Sequence, residues 1–166
     1  MSKIIAVDYD KCTGCRTCEI VCSLQHNGEI NPSRSRIKVV RWDDQGEAIP
    51  MNCRQCEWAP CEAICPIKAI SRDGLLGREV VNHDTCIGCR MCVAVCPFGA
   101  MSFDTSTKKV ITCDLCDDDP LCVKFCTTQA LQYIDARDWG NIKQVEAAEK
   151  LMGVMHKIEA TVTTLK

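Results

Sequence analysis

The run from Cys86 to Pro97 places four thiols and a proline in twelve residues, in the pattern C-x2-C-x2-C-x3-C-P. Three thiolates at spacings of three can wrap one iron–sulfur cubane, and a fourth, leaving on a helical turn before proline, points toward a second cluster. The motif therefore implies two clusters. A structural zinc site uses two C-x2-C pairs set well apart, to close one tetrahedron, and three thiols within seven residues fit that poorly. Sixteen cysteines in 166 residues is also the density of a disulfide-bonded secreted scaffold. Such scaffolds scatter their thiols through loops, whereas every cysteine here falls into one of four tight quartets. These are Cys12, Cys15, Cys18 and Cys22; Cys53, Cys56, Cys61 and Cys65; Cys86, Cys89, Cys92 and Cys96; and Cys113, Cys116, Cys122 and Cys126.

The quartets are related to one another. Aligning Val7–Cys22 with Val81–Cys96 gives identity at nine of sixteen positions, which marks an internal repeat. Gly14 and Gly88 fall between the first two ligands, where the lack of a Cβ lets backbone N–H groups approach cluster sulfur. Arg16 and Arg90 follow the second ligand and offer positive charge beside a cluster, or a solvated surface. Quartets two and four stretch the gap before the third ligand and carry Pro60 and Pro120 there, which predicts a rigid bend. His26 and His83 lie beside quartets that are already complete, so neither is needed as a ligand. Asp117, Asp118 and Asp119, inside quartet four, would add negative charge near its cluster and favour the oxidised state.

The elements that must hold these loops are short. Ile4–Val7 reads as a strand feeding the first quartet. Hairpins are expected between Ala69–Arg72 and Glu79–Asn82, around Asp73-Gly74, and between Ala100–Asp104 and Lys109–Thr112. The thirty residues between Cys22 and Cys53 contain an Asn31-Pro32-Ser33 turn and then an expected strand over Ser35–Trp42. There Arg34, Arg36, Lys38 and Arg41 interleave with apolar residues, as in a solvated edge strand or a docking surface for an acidic partner. Four basic residues without a wider patch argue against nucleic acid as a partner. Asp138 is expected to cap a helix running to about Ala160, with Ile142, Val145, Met152, Met155 and Ile158 on one stripe that packs on the chain's own core or on another subunit.

Three Phe, two Tyr and three Trp supply few large core side chains, a gap that clusters would fill, so the metal-free chain should fold poorly. The formal charge of −2 counts thiols as neutral, and four oxidised clusters would take it to roughly −10. No run of eighteen apolar residues occurs, so direct membrane insertion is not expected. Neither a signal peptide nor a twin-arginine pattern precedes Cys12, which reads as a cytoplasmic protein unless a partner carries an export signal for both.

Duplication suggests that quartets one and two pair, and three and four. Linker length argues for a different scheme. Quartets two and three, twenty residues apart and both ending in Cys-Pro, suit the exchange of fourth ligands seen in two-cluster ferredoxins, which leaves one and four for each other. Over about Ile4–Asp135, on these four quartets, the chain resembles the four-cluster ferredoxin-type electron-transfer subunits of molybdenum and tungsten bis-pterin oxidoreductases and of hydrogenase, formate and carbon monoxide dehydrogenase systems. Its short length and helical tail look most like the small soluble subunits of tungsten aldehyde oxidoreductase-type enzymes, including relatives in anaerobic aromatic-compound degradation.

The resemblance implies an α+β fold of two ferredoxin-like modules plus a C-terminal helix. The outer module would comprise 1–30 and 105–137, the inner one 50–104, with a basic insertion at 31–49 and the helix and tail at 138–166. It implies four [4Fe–4S] clusters. Cys12, Cys15 and Cys18 would share one with Cys126; Cys53, Cys56 and Cys61 with Cys96; Cys86, Cys89 and Cys92 with Cys65; and Cys113, Cys116 and Cys122 with Cys22. The implied partners are a large tungsten- or molybdenum-pterin catalytic subunit and a flavin/NAD-binding subunit or ferredoxin, in a hetero-oligomer. With no thiol left over, scattered histidines and no phosphate-binding glycine loop, the expected role is a non-catalytic electron relay. A free polyferredoxin and, more remotely, a zinc-binding interaction module are the rivals.

Overall fold

The computed structural model describes residues 3–164, with side chains described for 3–156. In chain order it contains β1 (Lys3–Val7), α1 (Thr17–Asn27), β2 (Lys38–Trp42), β3 (Glu47–Met51), α2 (Pro60–Ala63), β4 (Ile70–Arg72), β5 (Glu79–Val81), α3 (Met91–Val95), β6 (Ser102–Asp104), β7 (Lys109–Ile111), α4 (Leu121–Lys124), β8 (Leu131–Asp135) and α5 (Ala136–Thr164). The fold is a small mixed α+β one, with short hairpins and short helices around cysteine loops and a long C-terminal helix. Among the described residues, the strands form four two-stranded antiparallel sheets.

The sheet β1–β8 joins the two ends of the cysteine-bearing region, in a register from Lys3↔Asp135 to Val7↔Leu131. The expected strand at Ile4–Val7 and both expected hairpins are present as β1, β4–β5 and β6–β7. Hairpin β6–β7 runs across the 104/105 junction and β3 across 49/50, where the sequence reading sets its module limits. The basic strand begins at Lys38, three residues later than the sequence suggests. The reason is Ser35, fully buried, whose hydroxyl donates to the Ile37 carbonyl (2.7 Å) and accepts from the Ile37 N–H (3.2 Å). A side chain that occupies both backbone groups of Ile37 keeps it out of a ladder.

Three of the four basic residues of that segment pair with acidic residues of the chain itself. Arg34 donates to Asp104 through Nε (2.9 Å) and Nη2 (2.8 Å) and pairs with Glu29. Arg36 pairs with Asp114, and Arg41 with Asp43 at 2.7 Å. The tail helix likewise starts earlier than its sequence cap suggests. Asp135 Oδ1 accepts the Arg137 N–H at 2.9 Å, so Asp135 takes the capping role and Asp138 sits in the first turn.

Two buried clusters form the core. One gathers Ile5, Val7, Ile37, Val39, Leu115 and Leu131 with Cys18, Cys22, Cys53, Cys113 and Cys122. The other gathers Ile70, Val81, Met101 and Val110 with Cys61, Cys86 and Cys92, and Cys96 packs against both. Apolar contact there is largely thiol against aliphatic side chain, as the shortage of aromatics requires. Helix α5 packs on β1 and β8, but its stripe does not close on the core: Ile142, Val145, Met152 and Met155 are 39 to 60% exposed. The side chain of Ile158 lies outside the described residues. No helix among them is long and apolar enough to cross a membrane.

Candidate metal centres

Each quartet opens with the same backbone device. The residue two past the first cysteine is left-handed in all four: Gly14 (φ 68°), Gln55 (φ 49°), Gly88 (φ 69°) and Leu115 (φ 58°). In quartets one and three a second left-handed residue follows, Arg16 (φ 61°) and Arg90 (φ 64°), at the N-caps of α1 and α3. The third cysteine then arrives on the first helical turn. In α1 the helix continues, so Cys18 and Cys22 are four apart on one face, whereas α3 stops at Val95 and Cys96 is extended. In quartets two and four the prolines begin the helix instead: Pro60 is the first residue of α2 and Pro120 the N-cap of α4. A fixed φ suits both positions, and the third cysteines, Cys61 and Cys122, become the second residue of each helix.

Crowding makes the two glycines necessary. A Cβ on Gly88 would lie 2.6 Å from the Lys108 carbonyl oxygen, and one on Gly14 2.9 Å from the Ala48 Cβ. Gly28 is equally left-handed (φ 68°) but opens on free space. Gly88→Ala is therefore expected to cost about 2–3 kcal/mol, and Gly28→Ala about 1 kcal/mol. Anaerobic guanidinium titrations followed by cluster absorbance would check the difference.

Cys15 and Cys89 are exposed; Cys12, Cys56, Cys65, Cys96, Cys116 and Cys126 are half-buried; the other eight are buried. The structure brings Cys53, Cys56, Cys61 and Cys96 around one apolar cavity. It brings Cys22, Cys113, Cys116 and Cys122 around another, also lined by Ile5 and Ile37. Cys12, Cys18 and Cys126 share one core cluster, and Cys65, Cys86 and Cys92 the other. Helix α1 packs on α4, and α2 on α3. The Ala69 N–H lies 3.2 Å from Cys65 Sγ, and the Arg36 N–H 3.3 Å from Cys22 Sγ, the contacts that stabilise a bound thiolate. Four convergent soft donors in an apolar wall fit an iron–sulfur cluster.

Burial pushes the free thiols of Cys18 and Cys61 up to about 12 and that of Cys116 to about 11, and raises Cys113 and Cys122 further. Free thiols so raised hold their protons at neutral pH, so loading a metal on them would release protons and would weaken as pH falls. Cys15 is the opposite case. Hydrogen bonds from Thr17 lower its pKa.

Several neighbours were not legible as such in the sequence. His26 Nε2 lies 3.6 Å from Cys116 Sγ and 3.5 Å from Asp114 Oδ1, within reach of an N–H···S bond; burial and then Arg36 lower its pKa. His83 is exposed. The Arg90 guanidinium stacks 3.8 Å over Phe103, and Arg16 is exposed. The Asp117–Asp119 run does not present a free negative field. Asp117 pairs with Arg78 (2.6 Å), Asp118 with Lys3 (3.0 Å) and Tyr133 (2.7 Å), and Asp119 with Lys124 (2.5 Å). Gln55 is 3% exposed and reaches across to Cys113. Its one sequence signal is that a long polar residue stands where quartets one and three have glycine.

Comparison with known proteins agrees with the donor sets. Residues 45–136 match the family model described as a 4Fe-4S dicluster domain, and residues 4–26 that of a 4Fe-4S binding domain. The chain is 43% identical over 122 residues to the polyferredoxin-like subunit of aliphatic sulfonate oxidoreductase from Pyrococcus furiosus, covering 74% of this chain and 70% of that one. It is 37% identical to the electron transport protein HydN of Escherichia coli K12, covering 81% and 89%. With subunit 2 of E. coli K12 formate hydrogenlyase it shares 30% identity over 87% of each chain. Repeat, fold, thiol cavities and matches agree, and the chain belongs to the 4Fe-4S dicluster family of ferredoxin-type electron-transport subunits.

Proposed function

We propose that this chain is the relay subunit of a multi-subunit oxidoreductase, passing single electrons between a large tungsten- or molybdenum-pterin catalytic subunit, of the tungsten aldehyde oxidoreductase type, and a flavin/NAD subunit or ferredoxin. The observation that carries the relay is the pair of thiol cavities, in each of which three cysteines of one quartet meet the fourth of another. A [4Fe–4S] cluster supplies reversible one-electron storage when bound.

The ligand sets in this reading are Cys12, Cys15, Cys18 and Cys126; Cys22, Cys113, Cys116 and Cys122; Cys53, Cys56, Cys61 and Cys96; and Cys65, Cys86, Cys89 and Cys92. The first two sets belong to an outer module of 1–30 with 105–137, and the last two to an inner module of 50–104. Cys22 and Cys96 have direct support from the two cavities. Cys126 packs on the core cluster that holds Cys18, Cys113 and Cys122, and Cys65 on the one that holds Cys61, Cys86 and Cys92; with Cys22 and Cys96 filling the two cavities, Cys126 goes to the set of Cys18 and Cys65 to that of Cys86 and Cys92. Exposed Cys15 and Cys89 belong to different sets, so those two sets are the ends at which electrons enter and leave, and the two cavity sets are the middle.

The open stripe of α5 favours a subunit over a free carrier, since Val145, Met152 and Met155 are more than half exposed. Relatives named as subunits of a sulfonate oxidoreductase and of formate hydrogenlyase support assembly with a catalytic partner. The formate hydrogenlyase likeness also favours a second reading, in which the partner is a formate or hydrogenase enzyme. The test is capture of the tagged chain from anaerobic extract of its own organism, with metal analysis. Sixteen iron atoms per chain with stoichiometric tungsten is the expected result. Nickel, or molybdenum with formate activity, would move the chain to the second reading. A monomer that purifies alone would make it a free polyferredoxin.

A further inference from the structure

We propose that Gln55 is the positioning residue that sets the junction between the two halves of the relay, by clamping the Cys53–Cys56 loop onto the loop that starts at Cys113. This rests on the four ligand sets proposed above.

Gln55 combines two costs. It is a non-glycine residue at φ 49°, and it carries a polar amide on a residue that is only 3% exposed. A left-handed non-glycine residue persists only where its surroundings over-determine it, and a buried amide only where both of its ends are bonded. Both conditions hold. Nε2 donates to the Cys113 carbonyl at 2.8 Å, and Oε1 accepts the Glu79 N–H at 2.8 Å. A carbonyl only accepts and a backbone N–H only donates, so the orientation of the amide is unambiguous. The backbone carbonyl of Gln55 also accepts from Arg72 Nη1 at 3.2 Å. One side chain thus spans from between two ligands of one set to the first ligand of the next.

The two loops it ties line separate cavities, one with Cys53 and Cys56, the other with Cys113 and Cys116. Electron transfer between buried centres falls steeply with their separation, so a clamp at this place governs the rate of passage between modules. Its amide bonds two backbone groups and no cysteine sulfur, so it acts on the separation and not through hydrogen bonds that set a potential. That separates the role from tuning of a potential.

The test uses the full holoprotein, prepared anaerobically as wild type, Gln55→Met and Gln55→Glu. Methionine keeps the length and loses both bonds; glutamate keeps the acceptor toward Glu79 and loses the donor toward Cys113. Iron per chain, the spin–spin splitting between the two reduced middle sets, and electron redistribution after flash reduction are measured. The expected result is wild-type iron content with weakened splitting and redistribution slowed on the order of tenfold, with midpoint potentials unmoved in Gln55→Met. Unchanged splitting and rate at wild-type iron content would overturn the proposal. So would loss of iron from both variants, which would make Gln55 a structural part of one site. If only one variant loses iron, the other decides by the same criteria. Failure of the four-cluster reading is distinguishable, because it shows as too little iron in the wild type.

Discussion

Replacing Cys126 by Ala is expected to remove about a quarter of the iron and to take it from the set of Cys12, Cys15 and Cys18, not from the quartet in which Cys126 stands. Cys126 follows α4, which packs on α1, and it lies against the core cluster that holds Cys18 as well as Cys113 and Cys122. The other three cysteines of its quartet line a cavity whose fourth thiol is Cys22. A thiol withdrawn from that cavity would leave an apolar wall with three donors, whereas Cys126→Ala leaves all four in place. The counterpart, Cys22→Ala, removes the acceptor of the Arg36 N–H along with a ligand and should abolish the signal of the Cys113 set. Iron counting with Mössbauer and EPR assignment of the residual centres checks both. Loss of the Cys113-set signal in Cys126→Ala, with the Cys12 set intact, would overturn the crossed scheme.

What the sequence made legible was local. The quartets, their repeat, β1 and the two hairpins all declare themselves within a dozen residues, through ligand spacing, β-branched runs and turn residues. What it concealed was non-local. Strand β8 exists because Leu131–Asp135 finds β1 across the whole cysteine region. The charged runs show the same division. The four basic residues after Pro32 and the three aspartates of quartet four read as exposed fields, yet Arg34 meets Asp104, Arg36 meets Asp114 and Lys3 meets Asp118. A charge is visible in a sequence; its partner seventy or more residues away is not. The α5 stripe shows a different limit. Its spacing was helical, but periodicity reports which residues share a face and says nothing of what covers that face.

Arg72→Met is expected to cost about 3 kcal/mol at pH 8, the lower end of the range for unpairing a buried charge because Arg72 keeps some exposure. Glu79 is 1% exposed, and Arg72 Nη1 lies 3.2 Å from its Oε1; Oε2 has no partner among the described residues. The same nitrogen donates to the carbonyls of Gln55 (3.2 Å) and Cys56 (2.5 Å), so the arginine also braces the Cys53–Cys56 loop. Burial raises the Glu79 pKa, Glu62 raises it further, and Arg72 holds it back. A carboxyl whose folded pKa lies above its unfolded value favours the folded state fully below the unfolded pKa and loses that contribution as pH rises through the folded pKa. Without Arg72 the folded pKa climbs further, so the penalty is largest in alkali and narrows toward acid. The measurement is the rate at which cluster absorbance is lost in anaerobic guanidinium, at pH 8 and pH 6. If the whole effect falls on unfolding, about 3 kcal/mol is roughly a hundredfold acceleration at pH 8, with a smaller factor at pH 6. Glu79→Gln in the same background should restore most of the loss, because it removes the unpaired charge while keeping the shape. An equal deficit at both pH values, or no rescue by Glu79→Gln, would show that Arg72 acts through its bonds to Gln55 and Cys56 instead of through the buried carboxylate.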